Sequence, residues 1–157
     1  MTGLTDFQEK IAALLPDVEL KFEEPLAKHT SLRIGGGAEV MAFPKNIEEL
    51  AKILKVSVLL DGSFAILGAG TNILAPDEGV RGLVICLKDC LEGIEPLPGN
   101  RLRVMAGVTM SRAAVVAANL GLSGLEFAHG MPGTVGGGVY MKAGADGEGI
   151  DAALYTV

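Results

Sequence analysis

Two glycine-rich turns hold the residues in this sequence whose types and spacing could do chemistry, and that chemistry is the capture of an anion. One is Gly68-Ala69-Gly70-Thr71-Asn72; the other lies within His129 to Gly147, HGMPGTVGGGVYMKAGADG. In the second, Gly133, Gly136, Gly137 and Gly138 follow Pro132, a residue suited to the first position of a helix. Four glycines there would weaken the helix by roughly 4 kcal/mol relative to alanine, at about 1 kcal/mol each. That cost makes sense if something must lie closer to the backbone than a Cβ allows. Bare amides at a helix N-terminus attract anions, which points to a phosphate-bearing ligand. The other reading of such a turn is tight packing of two backbones. The existence of a second turn, with the Thr71 hydroxyl and Asn72 amide as further donors, favours the ligand.

A third stretch, His29-Thr30-Ser31-Leu32-Arg33-Ile34-Gly35-Gly36-Gly37, sets an arginine before triple glycine. Backbone and guanidinium could meet an anion there, or the stretch could be a strand-to-strand turn with a surface arginine. The 68–72 turn is not a dinucleotide fingerprint, because Ile73 holds the sixth position and Pro76 and Gly79 interrupt any following helix. It lacks the G-K-[ST] of a P-loop as well. Cys86 and Cys90 with His29 and His129 make a poor metal set, so no metal site is expected and the thiols read as free and largely buried. His129 reads as structural or solvent-facing rather than as a proton shuttle.

The 157 residues fit one domain or two small lobes, and a globule of this size buries roughly 70% of its unfolded surface. Glycine, at 22 residues, is about twice its usual share of roughly 7%. The formal charge of −6 argues against a nucleic-acid backbone as partner. A small pyrophosphate remains compatible, because backbone amides do not enter the formal charge. The opening MTGLTDFQEK has no signal-peptide pattern, and no uncharged apolar stretch approaches the roughly 18 residues of a membrane span. A reduced, cytoplasmic setting is the default expectation.

The elements that must position these residues follow from pattern. Thr5-Asp6-Phe7-Gln8 has capping-box spacing and opens a helix with Leu4, Phe7, Ile11, Leu14 and Leu15 at helical intervals, stopped by Pro16. Lys21 to Lys28 reads as a polar, extended connector. Glu39 to Phe43 is strand-like; Asn46 then caps a helix carrying Ile47, Leu50, Ile53 and Leu54, and the strand Phe64 to Leu67 runs into the first glycine turn. Strand, helix, strand predicts parallel pairing, with ligands at the carboxyl ends of the strands. Leu83 to Leu87 and Leu102 to Met105 are expected to form a hairpin-like pair in the second half, through Pro96, Pro98, Gly99 and Asn100. Thr109 or Ser111 caps a helix closed by Gly121, and Ala152 to Val157 looks like the start of a strand.

Three segments together, HTSLRIGG (29–36), ILGAGTNILAPDEGVRGLVI (66–85) and LSGLEFAHGMPGTVGGGVYMKAGADG (122–147), resemble the UDP-N-acetylenolpyruvoylglucosamine reductases. These are bacterial flavoproteins with the vanillyl-alcohol-oxidase (PCMH) type of FAD fold, and the resemblance spans about Lys28 to Ile150. It implies an α+β, two-lobed FAD-binding domain: a small parallel βαβ lobe at about 1–76 and a second, mixed or antiparallel lobe at about 77–157, with FAD extended between them. Matched by position, Gly68, Ala69, Gly70, Thr71 and Asn72 would hold the pyrophosphate. Met131, Pro132, Gly133, Thr134, Gly136, Gly137 and Gly138 would lie along the cofactor on the other side, with Arg33 close to it. The implied activity is reduction of the flavin by NADPH, then hydride transfer to the enolpyruvyl group of UDP-N-acetylglucosamine enolpyruvate to give UDP-N-acetylmuramate. This is a step of peptidoglycan synthesis, and so of cell-wall biogenesis, cell shape and cell division. A serine gives the proton, while an arginine and a glutamate stabilise the enolate.

The sequence also departs from that family. The family's arginine lies in a Y-R-x-S motif, its serine in C-G-S and its glutamate far toward the C-terminus, and none occurs before Val157. No catalytic residue is therefore expected in this chain, its third, substrate-binding domain is absent, and the chain alone is expected to be inactive. Lys142 replaces the family's usual Asn, and Asp146 its usual aromatic, which would put a cation and a carboxylate near the flavin. A reading from another class is a stand-alone, non-catalytic flavin-binding or partner-binding module.

Overall fold

The computed structural model describes residues 4–145 and 147–157, so Asp146 lies outside the described residues. The chain divides into two compact units, Met1–Cys90 and Leu91–Val157.

The first unit opens with helix α1, Asp6–Leu14, and both halves of the expected capping box form. Gln8 N–H donates to Thr5 Oγ1 (3.2 Å) and Thr5 N–H to Gln8 Oε1 (2.9 Å). The Gln8 amide also ties the helix to the sheet, donating to the Glu39 carbonyl (2.9 Å) and to Glu23 Oε1 (3.1 Å). Strand β1 is Glu19–Pro25, where a polar connector was expected. The high charge of this segment hid a period-two pattern: Leu20 and Phe22 turn inward while Glu19, Lys21 and Glu23 face solvent. It pairs antiparallel with β2, Gly37–Phe43, from Glu19 opposite Phe43 to Pro25 opposite Gly37.

Asn46 Oδ1 accepts from Glu49 N–H (2.8 Å) and starts α2, Ile47–Leu59. Strand β3, Phe64–Leu67, follows, and then β4, Val80–Cys86. The sheet order is β1-β2-β4-β3, with β4 parallel to both of its neighbours. The expected parallel pairing is present, but β2 and β3 do not touch; β4 lies between them. The segment assigned to a hairpin in the second half is thus the inner strand of this sheet. Its run Leu83, Val84, Ile85, Cys86 is buried throughout, as befits a parallel strand covered on both faces. The first compact unit, which includes β4, extends to Cys90.

The second unit begins with a hairpin of β5, Ile94–Leu97, and β6, Arg101–Val104. The loop Pro98-Gly99-Asn100 closes it, with positive φ at Gly99 (79°) and Asn100 (56°). Pro96 sits within β5, opposite Leu102, which a two-stranded ribbon tolerates because both strands are edges. Thr109, not Ser111, caps α3, Met110–Asn119, and Gly121 follows with φ +69°. Helix α4, Val135–Tyr140, the short strands β7, Gly144–Ala145, and β8, Glu148–Gly149, and a single turn α5, Ile150–Ala153, complete the unit. The strand expected at 152–157 does not form: Ala152 and Ala153 belong to α5, and residues 154–157 are exposed. Met110, Ala114, Ala128 and Ile150 form this unit's core, with Phe127, Met131, Val135 and Val139 against it. Among the described residues, no helix is long and apolar enough to cross a membrane.

Candidate functional site

In the first unit, β3 and β4 run parallel, so their carboxyl ends open at one edge of the sheet. A cleft of about 360 Å³ lies there, lined by Lys28, His29, Thr30, Ser31, Arg33, Gly68, Ala69, Cys86 and Lys88. Three cations in one cleft are notable in a chain whose formal charge is −6. Among the described residues, no backbone amide from 68 to 72 donates a hydrogen bond to the protein. The turn is instead held by the Gly70 carbonyl, which accepts from Ser31 N–H (3.0 Å).

The cations differ in how they are balanced. Lys28 Nζ reaches Glu24 Oε2 at 3.4 Å, and His29 Nε2 lies 3.0 Å from Glu24 Oε1, with the imidazole against the Phe43 ring (centroids 5.6 Å apart). The His29 hydrogen bond, aided by Lys28, holds the Glu24 carboxyl below its ordinary range despite partial burial. Arg33 and Lys88 have no carboxylate partner among the described residues. Cys86 forms part of the wall as a neutral thiol, its pKa pushed up by burial. Both cysteines are buried and outside any disulfide, and among the described residues no cluster of His, Cys, Asp and Glu is placed to hold a metal ion.

Arg33 adopts φ +56°, the left-handed region in which an L side chain costs about 1 kcal/mol. Glycine would cost less there. Arg33→Gly is expected to leave thermal stability unchanged or to raise it by up to about 1 kcal/mol, while anion binding falls. A thermal melt read beside ligand titration checks this; a clear fall in melting temperature would mean that the side chain holds the fold.

The remaining predicted residues on this side divide by geometry. Gly68 and Ala69 line the cleft with Arg33. Gly70 is buried beneath the turn, where an added Cβ would lie 1.9 Å from the His29 carbonyl oxygen. Thr71 is half-buried and Asn72 exposed, and neither lines the cleft. The triple glycine packs on backbone as well: a Cβ on Gly36 would stand 2.3 Å from the Asp77 carbonyl oxygen.

In the second unit, α4 starts at Val135 with Thr134 as its cap, so Pro132 is three residues too early to be the first helical residue. The amides expected to be bare are engaged. Val135 N–H donates to Val108 O (2.8 Å), Gly136 N–H to Ala106 O (2.9 Å) and Gly137 N–H to Thr134 Oγ1 (3.3 Å). Gly136 and Gly138 have packing reasons, because a Cβ would meet Ala106 Cβ or Met110 Sδ, each at 2.8 Å. Gly137 is exposed and its Cβ would touch only Thr134 Oγ1, at 3.4 Å. Gly133 takes φ +114°, Pro132 is exposed, and Met131 packs on the core with its carbonyl accepting from Ser111 Oγ (3.4 Å). His129 is exposed. Lys142 is exposed too and pairs with Asp151 (3.1 Å), whose carboxyl that hydrogen bond holds below its usual range.

Sequence reasoning missed Lys28, His29, Thr30, Ser31 and Lys88. His29, Thr30 and Ser31 lie inside the stretch read for its arginine and backbone alone, and Lys28 directly precedes it. Lys88 follows β4, and the rule that ligands gather at strand carboxyl ends would have found it had β4 been assigned to the parallel sheet.

Parallel strands within a mixed sheet, with a cationic, glycine-edged cleft at their carboxyl ends, have the form of a nucleotide-cofactor-binding domain. The sequence matches the FAD binding domain family over residues 38–155, and the chain belongs to that family. It is 44% identical over 131 residues to the UDP-N-acetylenolpyruvoylglucosamine reductase of Bacillus subtilis (strain 168), covering 83% of this chain and 43% of that protein. It is 42% identical over 140 residues to the reductase of the same name from Lactobacillus acidophilus, covering 89% of this chain and 46% of the relative. The crystal structure of UDP-N-acetylenolpyruvylglucosamine reductase from Thermus caldophilus is similar, with a TM-score of 0.60 and 32% identity, covering 85% of this chain and 45% of that one. The chain spans less than half the length of these relatives.

Proposed function

We propose that this chain is the FAD-holding part of a UDP-N-acetylenolpyruvoylglucosamine reductase, an oxidoreductase of peptidoglycan precursor synthesis. The observation that carries the reading is the cationic cleft at the ends of β3 and β4, edged by unpaired turn amides. Its donor set suits a diphosphate: a guanidinium for bidentate contact, ammonium groups for charge, and amides that approach without a side chain in the way. Gly68, Ala69 and Arg33 would touch it directly. Gly70, Thr71 and Asn72 would give the turn its shape. In the second unit Gly137 is exposed and a Cβ there would meet only Thr134 Oγ1, so of the 136–138 run it is the glycine whose smallness a ligand would use.

FAD, when bound, supplies the hydride carrier between NADPH and the enolpyruvyl group of the UDP-sugar. The residues of this chain bind and orient that carrier; no serine, arginine or glutamate of the family's catalytic motifs is among them. The 157 residues alone therefore do not turn over in this reading. Cys86 and Cys90, buried and outside any disulfide, fit a reduced cytoplasmic setting, and the acidic charge fits a small-molecule rather than a nucleic-acid partner.

The full chain incubated with FAD and passed through a desalting column should keep a flavin absorption spectrum. The same material should not oxidise NADPH in response to the enolpyruvyl sugar. Absence of retained flavin would overturn cofactor binding, and sugar-dependent NADPH oxidation would overturn the assignment of no catalytic residue.

A further inference from the structure

We infer that Lys88, outside every glycine motif, is a specificity-determining residue for the diphosphate of the ligand. Acting with Arg33 and Lys28, it makes the first unit select phosphate-bearing flavin over flavin without phosphate. The inference rests on the cofactor reading above and deepens it.

The charge arrangement carries it. Lys28, Arg33 and Lys88 line one cleft. The carboxylate held at its edge, Glu24, is divided between Lys28 (3.4 Å) and His29 (3.0 Å). That leaves the charges of Lys88 and Arg33 with no carboxylate partner among the described residues. Asp89, next in the chain, does not line the cleft and forms no ion pair with Lys88, although its carboxylate acts with burial on the Cys86 thiol of the cleft wall. The glycine turn also lines the cleft, and its amides add donors but no counter-charge. Two cations without a carboxylate partner in the same cleft as unpaired amides suit a group carrying two negative charges. A diphosphate ester has that form. Arg33 supplies the planar fork and Lys88 the point charge. The isoalloxazine ring carries no such charge, so Lys88 should be felt by FAD and not by riboflavin.

Sugar nucleotides share this chemistry with FAD, and the test separates the two sources. Equilibrium titration of the full chain with FAD, riboflavin and UDP-N-acetylglucosamine is compared for the wild type, Lys88→Ala, Lys88→Arg and the exposed control Lys55→Ala. Lys88→Ala should weaken FAD on the order of tenfold, the scale of one charge-assisted hydrogen bond. Riboflavin affinity should not move, Lys88→Arg should retain most FAD affinity, and the salt dependence of FAD binding should flatten in Lys88→Ala. A Lys88→Ala-sensitive response to UDP-N-acetylglucosamine, with none to FAD, would reassign the diphosphate to the sugar nucleotide and overturn selection of flavin. FAD affinity in Lys88→Ala equal to that in Lys55→Ala, or equal losses for FAD and riboflavin, would also overturn the inference. If the chain takes up no flavin, the cofactor reading itself fails; thermal-shift titration with inorganic pyrophosphate then decides the cleft alone. Stabilisation lost in Lys88→Ala sustains an anion site, and no stabilisation of the wild type removes it.

Discussion

Gly70→Ala is expected to destabilise the protein by roughly 3 kcal/mol or more and to abolish anion binding with it. The added Cβ would lie 1.9 Å from the His29 carbonyl oxygen and 3.1 Å from Thr30 Cα. These are backbone atoms, so no side-chain rotation can relieve the overlap. Gly70 also stands at φ +66°, which adds about 1 kcal/mol for any L side chain. The substitution therefore forces apart the two segments that build the cleft, 28–33 and 68–72, and breaks the bond from Ser31 N–H to the Gly70 carbonyl. Thermal denaturation of the full chain should show a fall of about 10 °C or more in the transition that reports the first unit. A melt within a degree or two of wild type would show that the turn can move off the 28–33 segment at little cost.

The second large effect separates two neighbouring glycines. Gly136→Ala is expected to cost about 2 kcal/mol, because its Cβ would press on Ala106 at Cβ (2.8 Å), O (3.1 Å) and Cα (3.3 Å), of which two are backbone. The bond from Gly136 N–H to Ala106 O (2.9 Å) would lengthen in the process. Gly137→Ala has no such neighbour, and alanine is favoured over glycine in a helix by about 1 kcal/mol, so it should be neutral or stabilising. If the cofactor runs past this face, however, Gly137→Ala should weaken FAD binding while the fold holds. Paired melts and flavin titrations of the two variants read both effects. Equal destabilisation by the two substitutions would contradict the packing described here, and undiminished FAD affinity in Gly137→Ala would remove that glycine from the cofactor surface.

These glycines show what local pattern can and cannot decide. The caps Thr5 and Asn46, Thr109 as one of two candidates and the Gly121 stop were legible, because caps depend on residues within a turn. The helix faces were legible only in part: Ile11 and Ile53 are buried, but Leu4, Leu14 and Ile47 are exposed and Val56 and Ser57 take the buried side of α2. The order of motifs along the chain also carried the family, which rests on sequence alone. The partner of Leu83–Cys86 was not legible. A short apolar run is equally suited to a hairpin or to a buried parallel strand, and only contacts formed far along the chain choose between them. The same limit applied to β1, whose alternating charges masked a paired strand.

The sequence by itself determined that backbone must come close to something at 35–37, 68–72 and 133–138, since glycine at these densities is costly without a reason. Tertiary structure decided what that something is. At Gly36, Gly70, Gly136 and Gly138 it is the protein's own atoms, while at Gly68 and Ala69 the turn lines a cleft. A missing Cβ leaves the same mark in sequence whether a carbonyl or a phosphate lies above it. The cations at Lys28, Arg33 and Lys88 become one site only when β3 and β4 lie side by side and bring positions dozens of residues apart to the same sheet end.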